Sequence, residues 1–356
     1  MAESRSREQK EPETDKEQGA DMTPESCIDL SAERTTKTLD HIVDDGRAWL
    51  GADIDPQDCV LPLETDVLHE IRNVIEKMQL NPLPTLLRLP EQFELSLLPD
   101  LMARVKAMLD SAFGVVVIDA LRLDEMDEQD AIALYWILGQ LIARPVAQKW
   151  DGTMFYDVRD TGQPYSYGVR GSYTNVELLF HTDNAFAVAP PHYVGLLCLR
   201  PAVEGGISRF CSLYAIHNRM LADYPRELRR LYEPVMWDRQ AEHAPGQPKV
   251  ALAPMFRYES GQLSARINVS LVRKGYEVAD RKIDAQTADA LAALQTVADD
   301  RTLWFELPIE RGHLQYLNNR HIVHYRSEFQ DHADPTLKRH LVRTWHRDTG
   351  LPTYDG

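Results

Sequence analysis

The sequence predicts an α+β fold, a double-sheet β-roll or jelly roll with flanking helices. Two observations carry this. From about Met154 onward, short alternating apolar segments are separated by Gly, Pro and Asn, the signature of successive strands and turns. Ahead of them the apolar spacing is helical, and strands and helices never alternate regularly as they would in a doubly wound or barrel α/β fold.

From Met1 to about Asp40 the chain holds 11 acidic and 6 basic residues and almost no large apolar ones. Such a segment buries too little to offset its ordering entropy, so residues 1–40 are expected to be a disordered acidic tail. Residues 41–356 are expected to form one domain, helical over 41–112 with the roll over about 114–347. Val67, Ile71, Val74, Ile75 and Met78 fall at helical spacing within Thr65 to Met78. Leu98, Leu101, Val105 and Leu109 repeat the pattern within Leu95 to Leu109. The first strand is Gly114 to Asp119, β-branched throughout, and Glu128 to Ile142 reads as the next helix. Helical inserts are expected near Leu213 to Leu221, Arg226 to Tyr232 and Ala285 to Val297. The stretch from about Phe155 to Tyr173, with Gly162, Gly168 and Gly171, has the composition of a mobile lid loop.

Bulk properties exclude several classes. The hydrophobic fraction of 44% is enough for a core, and the formal charge of −16 repels a phosphate backbone, so nucleic acid is not an expected partner. No apolar run approaches the length of a membrane span, and no signal-like stretch opens the chain, so the expected compartment is the cytoplasm, with no membrane partner. Cys27, Cys59, Cys198 and Cys211 form no Cys-x-x-Cys pair, which argues against a zinc knuckle or redox motif and for plain thiols. There is no Gly-x-Gly-x-x-Gly and no phosphate-binding loop.

The chemistry sits in the β-rich part. In Glu177 to Asn184, a strand running into a loop, His181 and Asp183 are two apart and so share a face. An imidazole and a carboxylate so placed offer a metal two ligands, and a distant histidine would complete a two-histidine, one-carboxylate face with open positions opposite. His-x-Asp pairs are also common as plain surface residues, so the third ligand matters. In Leu317 to Arg326 alternation puts His324 with Ile322 on one face and His321 on the other, and His324 is the candidate. Further on, Arg339, Leu341, Arg343 and Trp345 share a face if the segment is a strand. Two guanidinium forks aimed alike suit carboxylates. As a helix, the same segment would put both arginines on a solvated face.

Together these segments resemble the taurine dioxygenase family of iron(II) and 2-oxoglutarate oxygenases. The likeness covers roughly Gly114 to Trp345. It is carried by Phe180-His181-Thr182-Asp183-Asn184, Gly205-Gly206-Ile207-Ser208, Asn319 to Arg326, and Arg339-His340-Leu341-Val342-Arg343. The resemblance implies a double-stranded β-helix core with Fe(II) held by His181, Asp183 and His324. It also implies 2-oxoglutarate as cosubstrate, its distal carboxylate on Arg339 with Ser208 in the place of a family threonine, although Ser208 also reads as a turn residue after two glycines. Arg343 matches a position that contacts the substrate anion in taurine dioxygenase, and Asn175 and Glu177 stand where relatives touch substrate. With O2, the implied reaction hydroxylates an aliphatic carbon of a small anionic or amino-acid-like molecule and releases succinate and CO2. Because Asp183 is present, no carboxylate position is vacant for chloride, so hydroxylation rather than halogenation is expected. The competing readings are a zinc hydrolase on the same three ligands and a noncatalytic small-molecule binder. Oligomeric state stays open, with pairing of exposed helices into a homo-oligomer as one expectation.

Overall fold

The structure, a computed structural model, describes residues 27–31, 37–111, 113–163 and 170–355. Helix Thr65–Leu80 turns Ile71, Val74, Ile75 and Met78 inward, and helix Leu98–Ser111 does the same with Leu98, Met102, Val105 and Leu109. All eight side chains are buried in one cluster, where each contributes about 1.5–3 kcal/mol by leaving water. Truncating one, as in Met102→Ala, costs about 2–5 kcal/mol. The second helix starts at Leu98 rather than at Leu95 for a visible reason. The Glu70 carboxylate accepts the N–H groups of Ser96, Leu97 and Leu98 and the Ser96 hydroxyl at 2.7–3.1 Å, so it caps the helix end.

Those helices and Glu128–Ile142 cover one face of a seven-stranded sheet. Its order is Val60–Pro62, Val115–Asp119, Leu314–Asn318, Tyr193–Arg200, His340–Arg347 and Arg144–Val146, with Tyr156–Val158 also paired to His340–Arg347. Alternation divides the strands. Val116, Ile118, Leu197, Tyr316 and Val342 face the helices, while Val115, Val117, Val194, Leu317 and Trp345 face the second sheet. That sheet has the order Trp304–Leu307, Ser208–Ser212, Ile322–Arg326 and Leu178–His181, and its Phe210, Phe305, Leu307 and Ile322 fill the space between the two. Two facing sheets with an apolar filling are the expected roll. Helices Leu213–Asp223, Pro225–Leu231, Val269–Val278 and Ala285–Ala298 lie beyond the smaller sheet.

Four expectations need correction. Order begins before Asp40: Cys27–Asp29 pairs in parallel with Val250–Pro254 and Leu39 is buried, because Cys27 and Leu39 carry apolar surface that the acidic composition hides. The rest of the expected tail, residues 1–26 and 32–36, lies outside the described residues. The expected lid loop contains strand Tyr156–Val158, whose buried Tyr156 and Val158 alternate with exposed Asp157, and its residues 164–169 lie outside the described residues. Strand Val115–Asp119 starts one residue late because Gly114 is left-handed at φ 73°. Helix Val269–Val278 was not expected, although Asn268 caps it by accepting the Leu271 N–H and Val269, Val272 and Tyr276 repeat at helical spacing. Among the described residues no helix is long and apolar enough to cross a membrane.

Candidate metal centre

Strand Leu178–His181 is antiparallel to Ile322–Arg326, and the ladder sets His181 directly opposite His324. Cross-strand partners point to the same face, and the two imidazole centroids are 4.2 Å apart. The strand ends at His181, so Asp183 reaches the same place by other means than alternation. Thr182 N–H donates to Ile267 O at 2.8 Å and Ile267 N–H to Thr182 Oγ1 at 3.1 Å. Asn319 then grips the Asp183 backbone from both sides, Oδ1 accepting its N–H at 2.7 Å and Nδ2 donating to its carbonyl at 3.0 Å.

The result is a three-point face. Asp183 Oδ1 lies 3.7 Å from His181 Nε2 and 3.6 Å from His324 Nε2, and one ligand atom from each residue falls within 4.8 Å of the others. The other carboxylate oxygen is occupied: Asp183 Oδ2 accepts from Arg343 Nη1 at 3.0 Å and from Trp345 Nε1 at 2.7 Å. Only Oδ1 is left to face a metal. His181 Nδ1 is 2.7 Å from Leu179 O, so that nitrogen carries the proton and Nε2 presents its lone pair. Burial and the neighbouring His324 pull the His181 imidazole down to about 3. Burial pushes the Asp183 carboxyl up, but Arg343 and the two histidines outweigh it and hold it well below the usual range. Two imidazoles and one carboxylate are the donor set of a non-haem iron(II) site. This face opens on a cavity of about 340 Å³ lined by His181, Asp183, Arg343 and Trp345 together with Ser172, Glu177, Gln240 and Asn268. His321 points elsewhere, edge-on to Tyr214 with centroids 5.7 Å apart.

The remaining sequence-predicted residues divide. Arg343 reaches the metal corner: its Nε donates to Gln148 Oε1 at 2.8 Å and its guanidinium lies over the Tyr156 and Trp345 rings. Glu177 lines the cavity, held by a hydrogen bond from the Tyr325 hydroxyl. Asn175 does not line it; its amide donates to Phe329 O at 3.3 Å. Arg339 and Ser208 are outside the lining of that cavity. Arg339 precedes strand His340–Arg347, whose register shifts between His340 and Leu341, so plain alternation does not place it. Its guanidinium lies over the Phe329 ring at 5.0 Å and passes Gly206, where an added Cβ would stand 3.2 Å from Nε and where φ is 67°. Among the described residues Arg339 has no carboxylate within ion-pair distance and its Nη1 has no acceptor, and burial lowers it to about 10. Trp345 had been placed on the correct face without a role. Asn319 opens one of the motifs that carry the family resemblance but without an expected role, and Gln148 has no signal in the sequence beyond its polarity.

Residues 82–345 match the family described as "Taurine catabolism dioxygenase TauD, TfdA family". The chain is 26% identical to FR-33289 synthase of Streptomyces rubellomurinus over 253 residues, covering 69% of this chain and 72% of that protein. It is 32% identical over 178 residues to a taurine hydroxylase-like protein, SAT17, of Stachybotrys chartarum, covering 49% of this chain and 43% of that one. Among solved structures it resembles asparagine oxygenase in complex with Fe(II), 3-hydroxyasparagine and succinate, with a TM-score of 0.63 at 19% identity over 82% of this chain and 94% of that one. It also resembles the non-heme iron oxygenase OrfP with Fe and alpha-ketoglutaric acid, with a TM-score of 0.59 at 18% identity and the same coverage. The chain belongs to the TauD/TfdA family and is a non-haem iron, 2-oxoglutarate-dependent oxygenase.

Proposed function

We propose that the protein hydroxylates an aliphatic carbon of a small anionic or amino-acid-like molecule, with iron(II) held by His181 Nε2, Asp183 Oδ1 and His324 Nε2 and the distal carboxylate of 2-oxoglutarate on Arg339 and Ser208. The observation that carries this reading is the convergence of one oxygen and two nitrogens within 4.8 Å of one another, beside a cavity that His181 and Asp183 line, with Arg339 buried and lacking an anion among the described residues. Iron so held supplies the oxidation by O2 in which substrate C–H becomes C–OH and 2-oxoglutarate becomes succinate and CO2.

The chain's own residues do the rest. Trp345 and Arg343 fix which oxygen of Asp183 faces the metal. Arg343 Nη2 has no acceptor among the described residues, and it is assigned to an anionic group of the substrate. Glu177, braced by Tyr325, is the one carboxylate besides Asp183 in the cavity lining among the described residues, and it is assigned to a substrate cation. Asn175, tied to Phe329 O, stands outside the cavity lining. The fold relatives crystallised with 3-hydroxyasparagine and with (3S)-hydroxy-L-arginine support an amino-acid-like substrate. A hydrolytic zinc site would leave Arg339 and Ser208 without a purpose. The four cysteines are buried and unpaired, which supports a cytoplasmic location, and residues from about 41 onward are read as one oxygenase domain.

The test is succinate release from 2-oxoglutarate by iron-loaded protein, with and without a panel of amino acids and small sulfonates or carboxylates. Stimulation by one class, lost in His181→Ala, is the expected result. No succinate at any iron loading would exclude the reading.

A further inference from the structure

Arg326, two residues beyond His324, plays no part in the function so far derived. It is 7% exposed and Arg339 is 4% exposed. Both guanidinium groups pack over the same Phe329 ring, at 4.9 and 5.0 Å from its centroid. Neither meets a carboxylate within ion-pair distance among the described residues. Arg326 uses Nη2 on the carbonyls of Thr174 and Val176, while its Nε and Nη1 are buried without an acceptor, as is Nη1 of Arg339. Two buried cations beside one ring repel each other and stay desolvated unless an anion completes them.

The ladder says where that anion lies. Arg326 is the direct cross-strand partner of Ser208, so their side chains rise from the same face, the one that carries Phe210 and His324 toward the other sheet. Ser208 is the residue already assigned, with Arg339, to the distal carboxylate. On that reading of the cosubstrate site, we infer that Arg326 is a second cationic partner of that carboxylate, so that Arg326, Arg339 and Ser208 bind it together. Two forks around one carboxylate satisfy both of its oxygens and relieve the repulsion between the cations. Arg326 then also links the bound cosubstrate to Thr174 and Val176, at the entry to the strand that bears His181.

The test compares two ligands that differ only at the distal end. Binding of 2-oxoglutarate and of 2-oxopentanoate, which has a methyl in place of the distal carboxylate, is measured by calorimetry on Mn(II)-loaded protein, for wild type, Arg326→Met, Arg326→Lys and Arg339→Met. Arg326→Met is expected to weaken 2-oxoglutarate at least tenfold while changing 2-oxopentanoate less than twofold, with Arg326→Lys in between. Arg339→Met should show the same selectivity. Equal weakening of both ligands by either Arg326 variant would make Arg326 a structural brace and overturn the inference. Selectivity in Arg339→Met but not in the Arg326 variants would overturn it while leaving the cosubstrate site in place. Absence of selectivity in all three would remove the cosubstrate site itself. Arg326→Lys keeps the comparison readable if Arg326→Met does not fold.

Discussion

The metal corner and the arginine corner of the same inter-sheet space are built in opposite ways. At the first, the Asp183 backbone N–H, carbonyl and Oδ2 are all held by Asn319, Arg343 and Trp345, and only the oxygen meant for a metal is free. At the second, Arg326 and Arg339 are buried with nitrogens that have no acceptor among the described residues. A chain can preorganise a metal face with its own hydrogen bonds, since the ligands are neutral or locally neutralised. On the proposed reading the arginine corner is a pocket for a diacid, complete only when the diacid is bound, so its cost stays visible in the protein alone.

The largest effect should come from breaking the first corner. His181→Ala or Asp183→Ala is expected to abolish succinate formation and iron retention, read by metal analysis after desalting. Next, Arg339→Met should raise the 2-oxoglutarate requirement about 100-fold, about 3 kcal/mol for the loss of a buried charge pair, without lowering iron content. If iron content falls as well, the two corners are not separate. Trp345→Phe removes one of the two donors to Asp183 Oδ2 and should weaken iron about tenfold, as loss of a group orienting a metal ligand does. The check is an iron titration at saturating cosubstrate.

The smallest effect belongs far from both corners. Burial raises the Glu70 carboxyl, but the Leu97, Ser96 and Leu98 donors outweigh it and hold the group below its ordinary value. A lowered folded value means its stabilisation is present above the unfolded value, near 4.3, and is lost as pH falls through the folded one. Glu70→Gln should cost about 1 kcal/mol at pH 7 and shift the melting temperature by about 2 °C. That difference should vanish in acid, with iron and cosubstrate binding unchanged.

Much of this was legible in the sequence. Helix Glu128–Ile142 has the bounds its periodicity predicts. His324 rather than His321 follows from alternation along Ile322–Arg326, because a strand in a sandwich offers each residue only two directions. What resisted reading depends on contacts distant along the chain or on irregular backbone. Asn319 acts on Asp183 across 136 positions, a pairing no local pattern encodes. Strand periodicity ends at His181, and the pairing of Thr182 with Ile267 together with the hold of Asn319 brings Asp183 to the same face. The register shift after His340 removed Arg339 from the alternation that correctly put Arg343 and Trp345 together. Cys27–Asp29 was lost in an acidic stretch because its pairing strand, Val250–Pro254, lies more than two hundred residues away.

The most direct test is anaerobic titration of the purified protein with iron(II) and 2-oxoglutarate, following the weak visible charge-transfer absorption of the chelate in wild type, His181→Ala and Arg339→Met. The account predicts a band that needs both additions, is absent in His181→Ala, and in Arg339→Met requires about 100-fold more 2-oxoglutarate. No band in the wild type, or an unchanged cosubstrate requirement in Arg339→Met, would contradict it.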